Sequence, residues 1–329
     1  MSANYTFYFM NKLQDVALLR CLAVISLVAW HSYCSYICWN IADTPMSIWY
    51  TRLFKILTPD ANMPLFTFIS GYLFCYLLIF KDKYLSFHEL LTNKVNRLLI
   101  PFLILGALTN LTEYGKNISD IFYGKPSHLW YCLMLFYCFI ACWLIEKKLG
   151  KRWNIATMCV STLVVIGYKG NGLGPNTPLG LFMPVYYYCY FYAGFLVFFH
   201  KDIILKNVKK YFPLIVLAFA CSLMSGRLIL FSSLLYILIV WRLIYARILP
   251  PPILNVVNTI GVYSFGIYVF HQWIIWNITR IPCCIDVLYP YMTNHDILFP
   301  LLLTITVFLI SMLFTHISLK TRLGRYLLT

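Results

Sequence analysis

Charge is scarce in this chain. Only 11% of its 329 residues are Asp, Glu, Lys or Arg, against about 25% in an ordinary soluble domain. Acidic residues are the scarcer kind, 11 against 26 basic ones. With 61% hydrophobic residues and a mean hydropathy of +0.75, too little polar surface exists to cover a water-soluble globule, which excludes a soluble enzyme. The 12 cysteines contain no CxxC pair and no His/Cys metal spacing, so no metal centre is expected. No small-residue cleavage pattern follows the first apolar run, so that run should stay as a membrane span. Internal repeats, low-complexity tracts and inverted halves are also lacking, and inverted halves would be the mark of many transporters.

What the chain has instead is a succession of apolar runs, each of about the 20 residues that carry a helix across a bilayer. They fall near residues 13–38, 60–80, 96–112, 128–146, 153–168, 179–199, 211–225, 228–246, 254–277 and 296–318. The expectation is an all-α, polytopic integral membrane protein with about ten transmembrane helices, forming one domain over residues 1–329. The runs flanking Arg227 lie so close together that one of them could be re-entrant. The segments at 39–59 and 278–295 are the longest outer loops. Cys75, Cys132, Cys138 and Cys221 sit inside apolar runs, where a free thiol behaves as a small hydrophobe. The vicinal pair Cys283 and Cys284 falls in a loop.

The net charge of +15 is distributed unevenly. With the N-terminus inside, 19 of the 26 Lys and Arg fall on the inner side, and seven, Arg280 among them, on the outer side. Such a bias obeys the positive-inside rule and predicts N-in, C-in topology. Most of the charge therefore calls for no nucleic-acid partner.

Against this apolar background the polar residues inside the runs are informative. In "LRCLAVISLVAWH", eleven helical steps separate Arg20 from His31, turning about 1100°, about 20° past three full turns, with a rise of about 16 Å. The two side chains share a face. Intramembrane ionisable groups are costly and usually face a cavity or a partner; the alternative is a histidine bonded to a neighbouring helix and an arginine snorkelling to headgroups. In "NKVNRLLIPF", Lys94 and Arg97 are three apart and share a face. They suit a polyanion, or they set topology. In "MPLFTFISGYLF" Ser70 stands in an apolar run. His128 and Trp130 open the run "SHLWYCLMLFY", where tryptophan is at home at the interface. Ser264, Tyr268 and His271 make a polar stripe at i, i+4, i+7, which could knit helices together or line a channel.

The order Arg-x10-His, F-x-F-I-S-G-Y, a basic pair ending Arg-x3-Pro, H-x-W, and S-x-G-I-Y-x-x-H resembles acyltransferase family 3, membrane proteins that acylate O-antigens, capsules and other bacterial glycans. The aromatic segment "YYYCYFYAGFLVF" ending near Gly194 is similar to the family's sixth-span pattern. Two features depart from it: Arg20 is followed by Cys21 where Arg-Gly is frequent, and Lys94 stands where a second arginine is frequent.

The resemblance implies a membrane O-acyltransferase of the cytoplasmic (inner) membrane that moves an acyl group, most often acetyl, from acetyl-CoA to a hydroxyl of a cell-surface glycan or lipid-linked glycan. His31 would be the catalytic base. Arg20, Lys94 and Arg97 would hold acyl-CoA, and Ser70, His128, Trp130, Ser264, Tyr268 and His271 would line the cavity or meet the acceptor. The chain's extent suggests that any esterase-like partner is a separate protein. A lipid-linked glycan flippase is the competing function.

Overall fold

The computed structural model describes residues 3–39, 41–57, 59–113, 117–123, 127–168, 177–225, 229–245 and 249–328. Arg227, Arg247 and most of the Asn171–Gly180 stretch lie outside them. The described residues are helical, with no strand among them. In chain order the helices are α1 (Ala3–Ile37), α2 (Pro45–Leu57), α3 (Pro59–Cys75), α4 (Phe87–Lys94), α5 (Ile100–Thr112), α6 (Trp130–Leu144) and α7 (Lys151–Gly167). There follow α8 (Phe182–Lys210), α9 (Phe212–Ser225), α10 (Ile229–Ile244), α11 (Pro251–Ile278), α12 (Pro282–Asn294), α13 (Leu298–Lys320) and α14 (Arg322–Leu328).

Among the described residues six helical stretches are long and apolar enough to cross a membrane: Gln14–Ile37, Asn62–Phe80, Phe87–Thr112, Pro178–Lys210, Pro251–Ile278 and Leu298–Lys320. The other four apolar runs are helices as well: α6, with 15 residues, runs on through a π-helical turn, Ile145–Leu149, and α7, α9 and α10 have 17 residues or fewer. At about 1.5 Å per residue such a helix is about 26 Å long, short of a hydrocarbon core of about 30 Å. Length and composition thus support six of the expected spans among the described residues. Leu302, Ile305, Leu309, Leu313 and Ile317 of α13 are all about half exposed, and their spacing by three and four draws an apolar stripe that suits lipid.

The closest helix pair in the core is α3 with α8, and two glycines set it. A methyl group on Gly71 would strike the carbonyl oxygen of Phe191, and one on Gly194 the carbonyl oxygen of Phe68. Backbones approach this closely only where side chains are absent. Tyr72 and Phe198 each lie four residues past the Phe68–Gly194 contact and pair with centroids 4.9 Å apart, so α3 and α8 run in the same direction. Here α1 and α10 join the core: Tyr72 packs edge-on against Trp241 at 5.3 Å, and Lys201 Nζ lies 2.7 Å from Asp15 Oδ2 in a buried ion pair.

The segments read as outer loops each contain a helix. α2 and α12 lie over the end of α1, where the Tyr36 hydroxyl donates to the carbonyl of Met292 (2.9 Å) and Tyr36 meets Tyr50 edge-on at 5.6 Å. Cys283 and Cys284 stand in the first turn of α12 rather than in a loop, because Pro282 suits the first position of a helix. Both are free thiols.

Candidate functional site: a cationic cavity beneath a histidine pair

A cavity of about 280 Å³ opens between α1, α3, the α4–α5 junction, α6, α11 and α14. Its polar wall consists of Arg20, Ser70, Lys94, Arg97, Tyr131, Ser264 and Tyr268, and its apolar wall includes Phe66, Leu135, Phe139 and Leu328. The α4–α5 junction is a π-helical turn, Val95–Leu99, a wide turn of the kind common at functional sites. It separates two side chains that a single α-helix would stack: Lys94 is buried and Arg97 is exposed, yet both reach the cavity.

The cavity wall is positive. The Lys94 ammonium sits 3.6 Å from the Phe139 ring centroid and 5.1 Å from that of Tyr84, so aromatic faces stabilise a cation that burial would otherwise penalise. Among the described residues, Arg20, Lys94 and Arg97 have no carboxylate partner; the buried Asp15 pairs with Lys201 instead. The Tyr131 hydroxyl also faces this cavity, buried and without a hydrogen-bond partner among the described residues. Three cations and an unused hydroxyl around one space form an anion-binding environment.

His31 and His271 lie one layer beyond the cavity. Neither lines it; Tyr268 closes it on that side, its ring 6.3 Å from that of His271. His271 Nε2 and His31 Nδ1 are 2.9 Å apart. His271 Nδ1 faces the carbonyl of Ile267 at 2.9 Å. A carbonyl only accepts, so Nδ1 of His271 carries its proton, its Nε2 accepts, and His31 donates from Nδ1. This assignment leaves Nε2 of His31 as the basic nitrogen of the pair. The Leu27 carbonyl, 3.2 Å from His31 Nδ1, favours the same tautomer.

The remaining residues support this layer. The buried His128 faces the Val269 carbonyl with Nε2 at 3.0 Å, and its ring packs edge-on against His271 at 5.3 Å. The Tyr268 hydroxyl donates to the His128 carbonyl. Ser127, at φ 46°, donates to Glu113 Oε1 at 2.9 Å and accepts from Gln272 Nε2 at 3.1 Å. Trp130 packs between Tyr131 and Tyr187, with centroids at 5.9 and 5.6 Å, and does not reach the cavity. Ser70 and Ser264 line it while donating to their own helices, at Phe66 O (2.9 Å) and Gly261 O (2.8 Å).

Six of the ten residues singled out in the sequence, Arg20, Ser70, Lys94, Arg97, Ser264 and Tyr268, thus share one cavity. His31, His128 and His271 form an adjoining cluster, and Trp130 belongs to the core. Sequence reading missed Tyr131, which nothing distinguishes among 26 tyrosines, and the Ser127–Glu113 pair. No cluster of His, Cys, Asp and Glu that would hold a metal occurs among the described residues.

The model of a family described as an acyltransferase domain, acyltransferase family 3, matches residues 13–316, nearly the whole chain. No curated protein and no solved structure matches.

Proposed function

The chain belongs to acyltransferase family 3, and from that premise we propose that it is a membrane O-acyltransferase carrying acetyl groups from cytoplasmic acetyl-CoA to a hydroxyl of a cell-surface glycan in a bacterial inner membrane. The observation that carries this reading is the histidine pair set directly beyond a cavity whose charged groups are all cations. Acetyl-CoA is a polyanion with a thioester at the end of a long arm. The surplus of Lys and Arg at the Arg20 end favours the cytoplasm for that side, where the donor is found.

The cavity, about 280 Å³, is at the small end of ligand sites, which run from about 300 to 1,000 Å³. It would take the pantetheine arm and leave the nucleotide at its basic mouth. Arg20, Lys94 and Arg97 would hold phosphate oxygens, and Tyr131 would donate to a carbonyl of the arm. The thioester would then lie against Tyr268, next to the histidines.

In the transfer step, Nε2 of His31 takes the proton of the acceptor hydroxyl as its oxygen attacks the thioester carbonyl. The C–S bond breaks, the ester forms, and the imidazolium returns the proton to the departing CoA thiolate. His271 holds the His31 ring by accepting from Nδ1 and thereby keeps the base in the competent tautomer.

Radiolabelled acetyl-CoA supplied to membranes containing the chain should label the glycan fraction. His31→Ala should lower that labelling about 100-fold or more, the usual contribution of a positioned general base, with unchanged expression and insertion. Labelling by the variant at the wild-type rate would refute the role of His31.

A further inference from the structure

Beyond His31, on the side away from the cavity, stands a group of side chains that donor binding and proton transfer leave unused. Trp39 follows the end of α1, and its ring centroid lies 6.4 Å from that of His31. Trp276, in the last turn of α11, meets Trp39 nearly at right angles, 74°, at 4.9 Å. Arg280 then lays its guanidinium carbon 3.9 Å over Trp276 and 5.7 Å from the centre of Trp39. The indoles and the arginine extend from beside His31 to the end of the bundle where α1 and α11 finish.

Arg280 is poised for an anion. Its Nε is buried with no hydrogen-bond partner, and no carboxylate pairs with it among the described residues. A buried N–H with no acceptor is rare in folded proteins, and a planar guanidinium matches the two oxygens of a carboxylate or phosphate. Stacking on Trp276 holds the fork flat, so little freedom is lost when it binds. Two indoles at a corner offer flat apolar faces of the kind on which sugar rings pack.

We infer that Trp39, Trp276 and Arg280 form the acceptor subsite and select a sugar bearing a carboxylate or phosphate. The ring packs on the indoles, the anionic group accepts from Arg280, and a hydroxyl is turned toward His31. This inference rests on the acyl-transfer reading for the identity of the acceptor but not for the binding itself. A phospholipid headgroup has the same anionic chemistry; the burial of Nε beside the indoles leading to His31 favours the glycan.

The test is binding to the purified protein in phosphatidylcholine nanodiscs, followed by tryptophan fluorescence. The probes are trisaccharides ending in glucuronate, in glucose 6-phosphate or in neutral glucose. At least one acidic probe should bind about tenfold more tightly than the neutral one. Arg280→Gln should erase that preference, Arg280→Lys should restore part of it, and Trp39→Ala should weaken all three probes. The variants should retain wild-type acetyl-CoA affinity, which certifies their fold.

Equal binding of acidic and neutral probes, or a preference that survives Arg280→Gln, overturns the inference. Loss of the acidic preference when phosphatidylglycerol is added to the nanodiscs also overturns it, assigning Arg280 to lipid. Probe binding is read without any transfer step. Binding that depends on Arg280 in a protein without transferase activity would therefore sustain the subsite while the acyl-transfer reading fell, and transfer without such binding would do the reverse.

Discussion

At the scale of single residues, burial decides what each cation contributes. Arg97 is exposed, so water and salt screen its attraction for a phosphate, whereas Lys94 is buried against Phe139 and would act in a low dielectric. Arg97→Ala should raise the KM for acetyl-CoA by roughly 3- to 10-fold with kcat little changed, since tenfold corresponds to about 1.4 kcal/mol. Steady-state kinetics on purified protein would check this, and an unchanged KM would reduce Arg97 to a topology signal. These cations were legible in the sequence because charge is rare inside apolar runs. The histidines were legible for the same reason, but their pairing was not, since a 240-residue separation leaves no spacing to read. Trp39, Trp276 and Tyr131 were hidden by abundance: with 9 tryptophans and 26 tyrosines, no single ring stands out.

Among the elements, the α3–α8 crossing is the least forgiving. Its two glycines face backbone carbonyls of the opposite helix, and a carbonyl in a helix cannot move aside as a side-chain tip can. Gly71→Val or Gly194→Val should therefore lower the thermal midpoint in detergent by several degrees, in keeping with an overpacking cost of about 1–3 kcal/mol. Gly167→Ala, where a methyl group would meet nothing within 4 Å, is the control and should change little. Both glycines fall inside segments already conspicuous in the sequence, F-I-S-G-Y and Y-A-G-F, yet the reason for them is a contact between helices that no local pattern reports. The π-helical turn between α4 and α5 escaped notice similarly. Spacing by three implied one shared face for Lys94 and Arg97, and both do line one cavity, but across the wide turn Lys94 is buried and Arg97 exposed.

For the molecule as a whole, the Asp15–Lys201 ion pair joins α1 to α8, and the Trp241 indole N–H donates to Asp15 from α10. Asp15→Asn keeps the shape and removes the countercharge from a buried ammonium, a change that costs about 3–5 kcal/mol. Thermal unfolding in detergent should show the loss, and adding Lys201→Met should recover part of it. The all-helical class and the positions of all ten apolar helices were legible, because hydropathy records contact with lipid directly. Which of them are long enough to span was less so, since the helix ends depend on loops and π-helical turns that hydropathy averages away. The histidine pair also bears on how the protein is made. His31 enters the membrane with α1, and its partner is translated 240 residues later. At about 5–20 residues per second, the ribosome leaves the first imidazole waiting roughly 10–50 s for the second, so the newborn chain cannot bring its two histidines together until nearly all of its bundle has been delivered.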